Sequence, residues 1–116
     1  MGRRTDLGQG SVQIQNEVIG SIALMAAQEV EGVAGVWQGP GPLRFLRVSP
    51  GVRVEAREQE VRIGLDLIVE YGAALPDVGA RVQDRVREVV EQMTQLTPAE
   101  VQVSIRGVRP KRSETR

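Results

Sequence analysis

A chain of 116 residues with 41% hydrophobic and 26% charged side chains has the size and make-up of one globular domain, which excludes disordered, fibrous and repeat classes. It contains no cysteine and no histidine, so disulfides, thiol nucleophiles, imidazole bases and the commonest metal ligand are all absent. The composition argues against most enzymes; no catalytic residue, metal or cofactor is expected, and a reducing cytoplasm is permitted.

No apolar run approaches the roughly 18 to 20 residues that cross a bilayer, and the start MGRRTDLGQGS lacks the apolar stretch of a signal peptide. A soluble, cytoplasmic protein without a transmembrane segment of its own is expected. Net charge is zero but segregated: residues 11–105 hold 8 basic against 13 acidic side chains, while residues 106–116 hold 5 basic groups and Glu114. Such a basic tail can touch nucleic acid, anionic lipid or an acidic protein surface, or be a solvated chain end.

Residues 1–10 read as a flexible tail. Val12 and Ile14 alternate with polar neighbours as a short strand, and Asn16 is placed to cap a helix over about Glu17 to Glu31. Val18, Ile19, Ile22, Ala23, Ala26 and Val30 share one arc of that helix, and Gly32 is its natural stop, where positive φ is cheap. Val33 to Gln38 is a second strand. The stretch GPGPLRFLRVSPG from Gly39 to Gly51 is too rich in proline and glycine for regular structure over most of its length.

Val52, Val54 and Ala56, a turn near Glu58 and Gln59, and then Val61, Ile63, Leu65, Leu67, Val69 and Tyr71 predict a β-hairpin with one buried face. Pro76 suits the first turn of a second helix, along which Val78, Val82, Val86, Val89, Val90, Met93 and Leu96 recur at helical spacing. The helix is expected to end at Thr97, since Pro98 disfavours the α region before it. Val101, Val103 and Ile105 form the last strand. The order β-α-β-β-β-α-β predicts an α+β fold, a two-layer sandwich with both helices on one face of a mostly antiparallel sheet, over residues 11–108, with a basic tail at 109–116.

Candidate chemistry is sparse. Asp66 and Glu70 lie i, i+4 on the exposed face of one strand, about 13 Å apart at strand rise, too far for a catalytic pair and read as solvated charge. Gly32-Val33-Ala34-Gly35 matches the bare G-x-x-G of a KH nucleic-acid module, but here it joins a helix to a strand, in a stretch with no Lys or Arg between Arg4 and Arg44. The alternative is a helix-capping glycine followed by a small strand residue. Nucleic acid is therefore not an expected partner of this loop.

Two contact candidates emerge. The outward arc of the first helix reads as Gly20, Leu24 and Ala27, an uncharged small-residue face suited to packing on another chain, or a face with one unremarkable exposed Leu. The 39–51 insertion carries Phe45 and Leu46 interleaved with Arg44 and Arg47, with Trp37 at its entrance. It either docks on a protein groove or lipid interface, or folds back to cap the sandwich edge.

Three blocks of these residues resemble a bacterial family of envelope stress response proteins, the alkaline shock protein and general stress protein family. They are Gly10, Val12, Ile14 through Glu31-Gly32-Val33 and Gly35; Gly51-Val52 and Val54 through Leu65, Asp66, Leu67, Val69, Tyr71 and Gly72; and Val82-Gln83, Val86, Val90-Glu91, Met93-Thr94, Leu96 through Val101, Val103 and Gly107-Val108. The likeness spans residues 10–108. It departs at Gln95, where the family pattern usually has Gly, and at Gln102, where it usually has Asn. The resemblance implies a non-enzymatic, self-associating protein, a homo-oligomer held in some members at the inner face of the membrane by a separate membrane-anchored partner and linked to alkaline and cell-envelope stress. The alternative is a KH-like nucleic-acid-binding module using the basic C-terminal tail.

Overall fold

The longest alternating run in the sequence becomes the spine of the sheet. In the computed structural model of the chain, residues 2–6, 11–39, 47–57 and 60–111 are described, with the backbone alone at 2–6 and 47–49. The order is β1 (Gly2–Asp6), β2 (Ser11–Gln15), α1 (Asn16–Gln28), β3 (Val33–Val36), β4 (Arg47–Ser49), β5 (Val52–Arg57), β6 (Glu60–Glu70), α2 (Leu75–Thr94) and β7 (Glu100–Arg109).

Val61, Ile63, Leu65, Leu67 and Val69 of β6 all turn inward and are buried. One edge of β6 pairs in parallel with β7, which α2 makes possible as the crossover. The other edge is shared by two antiparallel strands, β5 opposite residues 60–65 and β3 opposite residues 67–69. The handover falls at Asp66, whose N–H donates to the Gly51 carbonyl at 2.9 Å and whose carbonyl accepts from the Trp37 N–H at 3.0 Å. β4 completes the sheet beside β5.

Both helices cover the inward face, as the α+β sandwich predicts. α2 lays Val78, Val82, Val86 and Val90 onto the core, and α1 packs against both α2 and β5. Arg85 of α2 clamps the pair, donating from Nη2 to Glu29 Oε1 at 2.8 Å. That hydrogen bond and then the Glu29 charge raise the Arg85 pKa. No helix among the described residues is long and apolar enough to cross a membrane.

The expected element order holds, with β1 and β4 as additions, and several expectations are corrected. Residues 2–6 form β1, antiparallel to β2, where a flexible tail was expected. β2 pairs with β1 in a separate two-stranded sheet and stays out of the main one, and α1 starts directly after it at Asn16. Asn16 is the first helical residue and not a capping one; its buried Oδ1 has no partner among the described residues.

α1 stops at Gln28, and a turn leads to Gly32 at φ 99°, where an added Cβ would stand 2.9 Å from Val78 Cγ2. α2 stops at Thr94, ahead of the expected Thr97, because Gln95 is left-handed at φ 66° and breaks the ladder before Pro98 constrains it. Thr94 Oγ1 closes the end, donating to the Val90 carbonyl at 2.7 Å and accepting from the Leu96 N–H at 3.1 Å.

Candidate functional site on the open sheet face

The sheet face away from the helices carries the polar half of each strand. Asp66 points to this face, yet it is only 1% exposed, so the expectation of a solvated carboxylate is overturned. The cause is cross-strand: Arg53 of β5 donates from Nη1 to Asp66 Oδ2 at 2.6 Å, and Arg106 of β7 approaches Oδ1 at 3.9 Å. Arg53 lies flat because its path crosses Gly64; a Cβ there would stand 2.6 Å from Nη2.

Arg106 sits at a register shift in β7 between the partners of Leu67 and Ile68. This irregularity lets its side chain cross the sheet and stack on Trp37, 5.4 Å from the ring centroid. Arg109, three residues on, likewise reaches across β6, its Nη1 lying 3.3 Å from where a Cβ on Gly35 of β3 would stand. Asp66 Oδ1 and Trp37 Nε1 are both buried with no hydrogen-bond partner among the described residues.

At the other end of the face, Arg62 sits between Glu60 and Glu100 at 3.4 and 3.5 Å, and Arg57 pairs with Glu55 at 3.4 Å. Arg53, Glu55, Arg62, Gly64, Glu100 and Gln102 line a groove of about 400 Å³. Glu55, Glu60, Asp66 and Glu100 are thus each held against a guanidinium, an arrangement suited to recognition more than to proton transfer. Among the described residues, no group of three or more acidic side chains is placed to hold a metal ion.

The residues singled out from sequence are not brought together. Gly20 and Ala27 are buried, against the expectation of an outward arc, because α1 meets both the sheet and α2 and so buries a wider arc than one stripe. Leu24 is partly buried against the core. The exposed side of α1 runs instead through Val18, Ser21, Met25 and Gln28, and Val18, expected inside, is 47% exposed. Trp37 lies on the opposite layer, in the open-face cluster. Phe45 and Leu46 fall outside the described residues.

Gly32, the first glycine of the G-x-x-G, is buried beneath Val78, where it serves packing. Sequence reasoning set Arg106 on the outward row of the last strand and Arg109 in the basic tail, and missed a role on this face for either. The available signal was that both lie within an alternating strand flanking Gly107.

Residues 4–110 match the profile of the alkaline shock protein family, described as having a cell envelope-related function. The chain is 35% identical over 108 residues to protein YqhY of Bacillus subtilis, covering 89% of this chain and 80% of that protein. It is 33% identical over 113 residues to YloU of the same organism, covering 91% and 92%. A Streptococcus pyogenes protein named stress response regulator gls24 homolog is 28% identical over 109 residues, a match that covers 89% of this chain and 61% of that protein. Among solved structures, a variant MamM CTD in a zinc form aligns with a TM-score of 0.53 at 17% identity, over 86% of this chain and 92% of that one, a likeness of fold.

Proposed function

Since the chain belongs to the alkaline shock protein family, with its cell envelope-related function, we propose that it is a non-enzymatic stress-response module that works by binding. It associates with itself and with a membrane-anchored protein at the cytoplasmic face of the cell membrane. The observation that carries this reading is the family match over residues 4–110, nearly the whole chain. Two features of the fold support it. The open sheet face is covered by neither helix and holds Asp66 and Glu100 in ion pairs, and α1 presents the uncharged exposed row Val18, Ser21, Met25 and Gln28. With Gly20 and Ala27 inside, Met25, Leu24 and Trp37 are the contact residues of this proposal.

The test is an affinity pull-down of the tagged protein from membrane and soluble fractions of its own cells, with and without nuclease, alongside light scattering of the pure protein. Recovery of a membrane-anchored protein insensitive to nuclease, with a scattering mass above that of one chain, is the expected result. A monomer that recovers only RNA-linked proteins, lost on nuclease treatment, overturns it in favour of nucleic-acid binding through the basic tail.

A further inference from the structure

The two edges of the main sheet are finished differently. β4, on one side, is three residues long and pairs irregularly with β5, two devices that blunt an edge. β7, on the other, runs for ten residues and among the described strands pairs with β6 alone. It contains no proline or lysine, and from Val101 to Ile105 it carries no charge. Arg106 does not guard it either, since its guanidinium turns away over β6 onto Trp37. On the helix side of the strand Val101 is sealed at 3% exposed, whereas Val103 and Ile105, next in the same row, are only half-buried. An apolar row left half-open beside the backbone N–H and C=O groups of a free edge is a template for another strand.

We propose that the β7 edge pairs antiparallel with the β7 edge of a second copy about a two-fold axis at Ser104, joining two sheets into one. The proposal rests on the self-association reading and names a surface which that reading leaves out. The strand's own row pattern selects both the occupant and the register. With Ser104 opposite Ser104, Val103 of each copy lies opposite Ile105 of the other, so the half-open apolar residues cover one another. In the polar row Gln102 lies opposite Arg106, and no charge meets a like charge. A slip of one residue would set the polar row against the apolar one. Centring on Val103 instead would draw in the Val101 carbonyl, which already accepts from Gln83 Nε2 at 3.1 Å. The irregularity at Arg106 limits the run at its other end, leaving residues 102–106 for the pairing.

The chain has no cysteine, so one introduced thiol reports the register. In Ser104→Cys the two Cα atoms face each other at about 4.5–5.5 Å, within disulfide reach. In Gln102→Cys they stand about 13 Å apart at strand rise, outside it. Under mild oxidation at equal concentration, Ser104→Cys should form the covalent dimer at least about tenfold faster than Gln102→Cys. Ser104→Lys sets like charges face to face at the axis, so it should lower the light-scattering mass below that of the parent while far-UV circular dichroism stays unchanged. Equal cross-linking rates, or an unchanged mass in Ser104→Lys, overturn the proposal; with a parent that still scatters as an assembly, the self-association reading stands without it. A parent that is a single chain at every concentration overturns both, and is the result expected if the edge takes an extended segment of a different protein.

Discussion

Arg53 Nη1 and Asp66 Oδ2 meet at 2.6 Å across the β5–β6 pair, and they do so over a glycine. A carboxylate that is 1% exposed is tolerated only with close donors, since removing it from water uncompensated is costly. Arg53→Ala should therefore destabilise the fold by about 2–3 kcal/mol in urea denaturation. The double replacement Arg53→Met with Asp66→Leu should recover much of that loss, because it removes both charges together. A double variant weaker than Arg53→Ala would show that the pair itself supplies net stability.

Gly64→Ala tests the same relationship from below. The added Cβ lifts the Arg53 guanidinium from its seat, so the variant should lose part of what Arg53→Ala loses. In an Arg53→Ala background the same change should be neutral or mildly stabilising, because glycine weakens a strand interior and the obstruction is gone. Equal costs in the two backgrounds, read by a double-mutant cycle, would uncouple Gly64 from Arg53.

Gln95 holds φ 66° just past the end of α2, a conformation that costs a side chain about 1 kcal/mol or more and glycine almost nothing. Gln95→Gly should raise stability by about 1 kcal/mol, offset in part by the greater chain entropy of glycine when unfolded. Thermal melting checks it.

Met25 and Ala27, two positions apart on α1, should respond oppositely to a charge. Met25 is 60% exposed, so Met25→Glu should leave stability within about 0.5 kcal/mol while lowering the scattering mass of any assembly that uses this face. Ala27 is 0% exposed, so Ala27→Glu should unfold the chain. A Met25→Glu protein of unchanged mass excludes this side of α1 from self-association.

Stability should be nearly flat from about pH 6 to about pH 9.5. The chain has no histidine or cysteine, the side-chain types that ordinarily titrate inside this window. The clamp between the helices follows the same rule. The hydrogen bond to Glu29 raises the Arg85 pKa above its ordinary value, so whatever Arg85 contributes is fully present below that ordinary value and is lost only as pH rises through the raised one. A melting temperature that falls steeply between about pH 7 and about pH 9 would contradict this.

The amino-acid sequence by itself determined the elements of the main sandwich, since alternation along β6 and the four-residue spacing of valines along α2 are properties of neighbouring residues. It also marked Trp37 as a residue apart and set the α+β order that the fold keeps. Only the tertiary structure decided how wide an arc of α1 is buried, Gly20 and Ala27 beside the expected Ile19, Ile22, Ala23 and Ala26, because that depends on α2 lying beside it, some 56 positions away at the Glu29–Arg85 contact. It also decided that β3 and β5 share one edge of β6, and that Asp66, at their junction, is sealed by Arg53 and Arg106 from two other strands. A charged residue on the outward row of a strand reads as solvated until the neighbouring strands are known. What covers it here is side chains 13 and 40 positions away, brought over it by the pairing of β5 and β7 with β6.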